Sequence, residues 1–383
     1  MALIFLVGLS LVIWLFLLLF WGGFWLSNQC LKDSDYKLKK YPTVWAIVPA
    51  RDEAEVLPVS LPSLLNQNYE GKFYVVLVDD NSCDRTSEIA QQTAEKLNKA
   101  DKLKVINGKT LANGWKGKLW AMEQGTSYAQ QLDPDYLLFT DADIKHDLNN
   151  LSQLIFKAET ENLDLVSLMV LLRCESFWEK LLIPAFVFFF QKLYPFAWVN
   201  NPHKSIAAAA GGCILISNQA LLDIGGIAAI KDALIDDCAL ATAVKSQGKN
   251  IWLGLSKTTI SLRQYDNLKV IWDTIARTAF DQLHYSFLLL VGTVIGMSII
   301  YLAAPICLVI GIITTNWLLT GMALLTWLLM ACAYIPTLRL YNLSVLWAFS
   351  ISAIAFLYTL MTIDSAIKYY QGKGGSWKGR TYQ

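Results

Sequence analysis

The chain predicts an α/β domain, a mostly parallel sheet with helices on both faces, held between membrane segments. Short apolar runs alternate with helix-like stretches from about residue 42 to 262, the pattern of strands buried on both faces. The composition is 55% hydrophobic and only 16% charged, well off the soluble norm. That excess sits in residues 3–26 and most of 286–363, which are nearly free of charge. Acidic clusters follow three of the apolar runs, and in an open α/β sheet the carboxyl ends of strands are where ligands bind.

The N-terminal run is long enough to span a bilayer. No Lys or Arg precedes Trp21, and no A-x-A-like site follows it, so residues 1–27 are expected to stay as an anchor rather than leave as a signal peptide. Ser27-Asn28-Gln29 also lacks the small residues expected before a lipidated Cys30. Lys32, Lys37, Lys39 and Lys40 come next, and the positive-inside rule places the following domain, residues 42–262, in the cytoplasm.

Within that domain, strands are expected at 44–48, 73–78, 103–106, 136–140, 165–172 and 213–216. Helices are expected at 56–66, 86–98 and 118–131, the second with Ser82 or Asp84 to cap it. Residues 178–198 are apolar but carry Pro184, Lys192 and Pro195, which suggests a segment lying at the membrane interface. A full span there would part Asp236 and Asp237 from Asp141 and Asp143.

Residues 286–364 read as about three spans, at 287–310, 317–335 and 345–363. The tail, 365–383, carries Lys368, Lys373, Lys378 and Arg380, which favours the cytoplasm. One anchor plus three spans would leave it outside. A re-entrant segment or a further span would reconcile the two signals.

The net charge of +1 gives no sign of a nucleic-acid surface. Seven cysteines form no C-x-x-C pair and no metal spacing, as in a reduced setting without a disulfide framework.

The chemistry gathers at three strand ends. Pro49-Ala50-Arg51-Asp52-Glu53 follows the first strand, Asp79-Asp80-Asn81-Ser82 the second, and Asp141-Ala142-Asp143 the run 136–140. Singly, each could be loop polarity or helix capping. Together on one sheet edge they form a polar crevice that can accept hydrogen bonds from a base and a ribose. Asp141 and Asp143 are hard oxygen ligands suited to a divalent cation that also holds a diphosphate. Asp236-Asp237 could cap the helix 238–246, which does not exclude a catalytic role. Gly211-Gly212 and Gly225-Gly226 could be turn glycines or points of close backbone approach.

The order P-A-R-D-E, V-D-D-N-S-x-D-x-T, G-K-x-x-A, D-A-D and D-D-x-x-L, over about residues 44–253, resembles family 2 glycosyltransferases of the GT-A nucleotide-diphospho-sugar transferase fold. More narrowly, Gly114-Trp115-Lys116-Gly117-Lys118-Leu119-Trp120-Ala121 and the closing stretch from Gly374 to Tyr382 are similar to the hopene-associated glycosyltransferases of bacterial hopanoid pathways. An anchor, a catalytic domain and several C-terminal spans also resemble the plan of ceramide glucosyltransferases.

The resemblance implies that Pro49, Ala50, Asp52 and Glu53 line the nucleotide pocket and that Asp79 and Asp80 contact uracil and ribose. It implies that Lys118 approaches the nucleotide, where its cationic head fits a diphosphate. Asp141 and Asp143 would hold the donor and a Mg²⁺ or Mn²⁺ ion. Asp237 would be the general base, with Asp236 beside it. It thus implies an inverting, metal-dependent transferase of a bacterial inner membrane, facing the cytoplasm. One sugar would pass from a nucleotide sugar, UDP-linked, to a lipid hydroxyl, with hopanoid-related acceptors suggested.

The chain departs from the [QR]-x-x-R-W motif of processive synthases, since the stretch from Arg277 to Tyr285 does not match it. A processive polysaccharide synthase and an inactive nucleotide-binding scaffold are the rival readings. Gln282, His284 and Tyr285 remain as acceptor-side or diphosphate contacts, while His146 and His203 are expected at the surface.

Overall fold

The structure is a computed structural model that describes residues 1–31 and 37–372, with the backbone of 376–377 and 380–381. Lys32, the tail cations beyond Lys368 and most of the closing glycine-rich motif lie outside the described side chains.

One eight-stranded sheet forms the centre, in the order β3-β2-β1-β4-β7-β6-β8-β5. The strands are β1 Val44–Ala50, β2 Phe73–Asp79, β3 Leu103–Asn107, β4 Tyr136–Thr140, β5 Ile144–Lys145, β6 Leu165–Leu171, β7 Cys213–Ser217 and β8 Ile251–Ser261. Every residue of β1 and β4 is buried, as expected of strands covered on both faces. The expected parallel pairing holds for β3-β2-β1-β4 and for β6 with β8. The sheet as a whole is mixed, because β7 runs antiparallel to both β4 and β6.

That reversal matters for function. Cys213 at the start of β7 pairs with Thr140 at the end of β4, so Gly211 and Gly212 arrive at the same edge as Asp141. Similarly β5 pairs Ile144 with Ser261, which brings the end of β8 beside Asp143. A parallel β7 would have sent its leading loop to the far side.

Helices α2 Leu57–Leu65, α3 Thr86–Lys96, α4 Gly117–Gln130, α5 Asn150–Glu161 and α9 Asp236–Ser246 flank the sheet, with α1 the N-terminal Ala2–Phe20. Between β6 and β7 lie α6 Phe177–Leu193 and α7 Phe196–Val199, followed after β7 by α8 Asn218–Asp223. Helix α6 starts on a capping box, Ser176 accepting from the Glu179 amide while Glu179 accepts from Ser176, a device that satisfies two otherwise orphaned donors. At 17 residues it falls short of the four helices, among the described residues, long and apolar enough to cross a membrane: Ala2–Phe20, Phe287–Ile313, Trp317–Leu340 and Val345–Tyr370.

The last of these packs along the domain rather than away from it. Trp347 lies 5.7 Å from Phe177, Tyr358 donates to the Leu182 carbonyl at 2.9 Å, and Asp364 accepts from Trp272 at 2.7 Å. Near its end, Ser365 accepts from the Phe280 amide, and Tyr369 stacks on Tyr285 at 4.4 Å.

His146 corrects an expectation. It is buried, not at the surface. Its Nε2 meets the Thr140 hydroxyl at 2.9 Å and its Nδ1 the Asn150 amide at 3.0 Å, and burial pushes its pKa down to about 4. It is a neutral strut behind β4. His203 is exposed as expected.

Candidate active site

Lys118 stands at the start of α4, and its ammonium lies 3.0 Å from Asp141 and 3.0 Å from Asp236. One cation thus joins the acidic cluster after β4 to the acidic pair that opens α9, although 95 residues separate those carboxylates in sequence. Burial works against that charge, but Asp141 and Asp236 outweigh it and raise the pKa of Lys118.

Asp237 sits in the first turn of α9, where the helix dipole favours a negative charge. Its Oδ2 accepts from the Gly211 amide at 2.8 Å and its Oδ1 from Cys238 at 2.7 Å. Each oxygen keeps a lone pair for a further proton. Burial, and then Asp236, push this carboxyl up to about 6, while Lys118 and the two amides pull it down. A Cβ at Gly211 would lie 3.3 Å from both Asp237 Oδ2 and Lys118 Nζ, so close backbone approach is the role of this glycine. Gly225 and Gly226 have positive φ and open space around them, the signature of turn glycines.

A cavity of about 140 Å³ opens above these groups, lined by Pro49, Glu53, Lys118, Asp141, Asp143 and Asp236 among others. Asp143 is pushed up to about 6 by burial, then by Asp141 and Glu53, against Arg263 and the Ser261 hydroxyl. The neighbouring charges of Asp141 and Glu53 thus disfavour a further negative charge on Asp143. Among the described residues no three His, Cys, Asp or Glu side chains form a ready cation cage. Two carboxylates completed by diphosphate oxygens are, however, a common way to hold Mg²⁺, and the donor set fits that arrangement.

The other expected donor-side residues divide. Asp80 is 1% exposed, with Arg51 Nη1 3.6 Å from its carboxylate and 2.7 Å from its carbonyl. Asp79 accepts from the Ser82 amide at 2.9 Å and from the Ser87 hydroxyl, which fixes the turn leading into α3. Asp52 accepts from Cys83 at 2.7 Å and its amide donates to Ser82 at 2.9 Å, clasping the β1 and β2 loops together. Asp84 binds the Thr86 and Ala54 amides. Ala50 is fully buried in β1. These side chains build the rim; they do not line the cavity.

Two cations complete the pocket without any motif to announce them. Arg263, just beyond β8, and Arg277, after the helix α10 Leu268–Ala276, both line it, together with Lys116. Arg277 is lowered in pKa by burial and by Arg263, yet a guanidinium stays charged. On the acceptor side, Gln282 accepts from Tyr194 at 2.8 Å. His284 and Tyr285 have left-handed backbone at φ 50° and 54°, and neither reaches the donor cavity.

Residues 45–225 match the family described as glycosyl transferase family 2. The 4,4'-diaponeurosporenoate glycosyltransferase of Staphylococcus haemolyticus is 35% identical over 108 residues, 28% of this chain and 25% of that protein. The probable glycosyltransferase YdaM of Bacillus subtilis is 30% identical over 148 residues, 37% of this chain and 33% of that one. The chain thus aligns with a quarter to a third of the length of these two relatives. Among solved structures, the mannosyltransferase PcManGT of Pyrobaculum calidifontis, in complex with GDP-Man and Mn²⁺, superposes with a TM-score of 0.56 at 17% identity, over 96% of this chain and 99% of that one. The α/β domain thus has a GT-A-like fold with a curled mixed sheet, and residues 45–225 of it are similar to glycosyl transferase family 2.

Proposed function

We propose that this domain is an inverting, metal-dependent glycosyltransferase, which moves one sugar from a nucleotide sugar to a hydroxyl of a membrane lipid. One observation carries the reading: the Lys118 ammonium sits 3.0 Å from both Asp141 and Asp236. Asp141 and the Asp236-Asp237 pair therefore meet on one side of the sheet, and together with Lys118 they line a small pocket there. We take the donor as UDP-linked and the acceptor as hopanoid-related from the sequence resemblance.

In this mechanism Asp237 takes the proton from the acceptor hydroxyl as its oxygen bonds to the anomeric carbon. The bond from that carbon to the diphosphate breaks in the same displacement, so the configuration inverts. A divalent cation held by Asp141 and Asp143 would supply charge neutralisation for the departing nucleoside diphosphate. Lys118, Arg263 and Arg277 add fixed positive charge at the same wall of the pocket, where preorganised cations stabilise developing charge most effectively.

The four apolar helices support a membrane setting, and the lysines that follow the first of them, Lys37, Lys39 and Lys40, support the cytoplasmic side for the domain. Membranes containing the full chain are incubated with labelled UDP-glucose, UDP-galactose, UDP-N-acetylglucosamine or GDP-mannose, then extracted with organic solvent. Label in the lipid phase supports the reading. Insoluble polymer would instead favour a processive synthase, and bound donor without transfer would favour an inactive scaffold. Chelation of divalent cations should abolish transfer, and added Mg²⁺ or Mn²⁺ should restore it.

A further inference from the structure

A second cavity, of about 730 Å³, lies against the first and shares Lys116, Ala233, Leu234 and Arg277 with it. That volume is within the range of sites that enclose a small organic ligand. One wall comes from α9 and the loop before it, with Ile235 and Ala239 on either side of the Asp236-Asp237 pair. The opposite wall comes from the membrane-proximal elements: Ala276, Phe280 and Tyr285 ahead of the helix Phe287–Ile313, and Ser365 and Tyr369 of the last helix. Tyr285 and Tyr369 are 39% and 42% exposed although stacked on each other. Paired tyrosines beside apolar helices are what a bilayer interface selects.

We infer that the acceptor is an amphiphilic alcohol that occupies this second cavity, its apolar body lying between α9 and the Tyr285–Tyr369 pair and its hydroxyl at the shared wall, where the loop leading into the Asp236-Asp237 turn passes. The inference rests on the transferase reading above. It also gives a role to the segment 276–285, where the chain departs from the motif of the processive enzymes. A rival entrance is a cavity of about 550 Å³ lined by Leu172, Arg173, Gln264 and Tyr341 among others. It shares no residue with the donor pocket, and its Arg173 is already engaged by Glu175, Glu179 and Asp266.

The test uses the full chain in proteoliposomes, a labelled nucleotide sugar that supports transfer, and a titrated total lipid extract as acceptor. Ala276→Phe, which fills the cavity, and Tyr369→Ala, which removes one of its walls, should each raise the half-saturating amount of lipid at least tenfold. Donor affinity, read by calorimetry, should stay within twofold of the parent. Leu172→Phe in the rival cavity should leave both unchanged. Because Ala276 is 3% exposed, its variant could misfold, which lost donor binding would reveal; the half-exposed Tyr369 then decides alone. Unaltered lipid saturation in Tyr369→Ala, or greater sensitivity in Leu172→Phe, would overturn the inference. A parent chain that moves no label into any lipid is a different failure, that of the transferase reading itself.

Discussion

At Asp237 a single carboxylate combines a helix N-terminus, two backbone donors and a neighbouring acid. Its pKa of about 6 places it near the working range of a general base. Replacement by Asn keeps the shape but removes the proton acceptor, so Asp237→Asn should lower the transfer rate by roughly 10²- to 10⁴-fold while donor affinity is retained. The variant transferring sugar at the parental rate would show that the proton goes elsewhere. The sign of the pH effect follows from the same group. The base works ionised, so the rate should fall below about pH 6 and level off above it, whereas a carboxyl at its ordinary value of 3.8 would hold its rate down to about pH 4. At saturating Mg²⁺, which keeps Asp143 ionised, the residual rate of Asp237→Asn should lack that limb. Asp141, Asp143, Lys118 and Asp237 were legible in the sequence because each lies in a short motif at a strand end or helix start. Arg263 and Arg277 were not, since an isolated arginine carries no local pattern and only the path of β8 and α10 brings it to the pocket. Asp52, Asp79 and Asp80 lie beside the cavity and not in its lining. Their motif was visible, but their side chains are held in loop and turn hydrogen bonds of the rim.

Among elements, the apolar runs located six strands within a residue or two, and left two unread. Strand β5 has only two residues, too few for any periodicity, and β8 carries Lys257 and Thr258 exposed in its course, which breaks the apolar run. The antiparallel course of β7 was also hidden, since alternation of strands and helices does not encode direction when a long segment intervenes. That segment includes α6, and its attachment has consequences for the pocket. Glu179 is fully buried and accepts from the amides of Glu175, Ser176 and Tyr265 at 2.8–2.9 Å and from Arg173 at 3.1 Å. Burial alone would raise its pKa, but the three amides and Arg173 hold it below the usual carboxylate range. It therefore ties the start of α6 to the stretch between Arg263 and α10. Glu179→Ala strands those donors and should cost about 3–5 kcal/mol, seen as a fall in melting midpoint on the order of 10 °C. A fall of a degree or less would mean that water or Asp266 replaces the carboxylate. Because the folded-state pKa is depressed, the stabilisation is present above the unfolded value and lost as pH falls through the folded one.

For the whole molecule, the basic residues of the sequence favour one side of a membrane for the domain and the tail, whereas four crossings by the apolar helices would part them. The contacts of Val345–Tyr370 suggest an answer. Its beginning meets Phe177, at the foot of α6, and its end meets Phe280 and Tyr285, just before the helix Phe287–Ile313 leaves the domain. A helix of 20 residues is about 30 Å long, so a crossing helix would carry one of those ends to the far surface. Asp273 ties Lys368 to α10 at 2.9 Å, which again keeps the end near the domain. We propose that this segment lies along the membrane-facing side of the domain and does not cross the bilayer. Three crossings then remain, by Ala2–Phe20, Phe287–Ile313 and Trp317–Leu340, and Lys37, Lys39, Lys40, Arg339 and Lys368 all fall on the domain side, as the positive-inside rule requires. On this proposal the conflict between charge and span count arises because hydropathy alone cannot tell a helix that crosses from one that lies against the domain. Reporter fusions separate the two. A phosphatase active only outside should work when inserted at Thr315, between two crossings, and be silent at the C-terminus, where a fluorescent protein that folds only in the cytoplasm should light up. Phosphatase activity at the C-terminus would mean that the last helix crosses. The wall of the second cavity formed by Ser365 and Tyr369 would then lie on the wrong side of the membrane from Asp237, and the acceptor path proposed for it would fall as well.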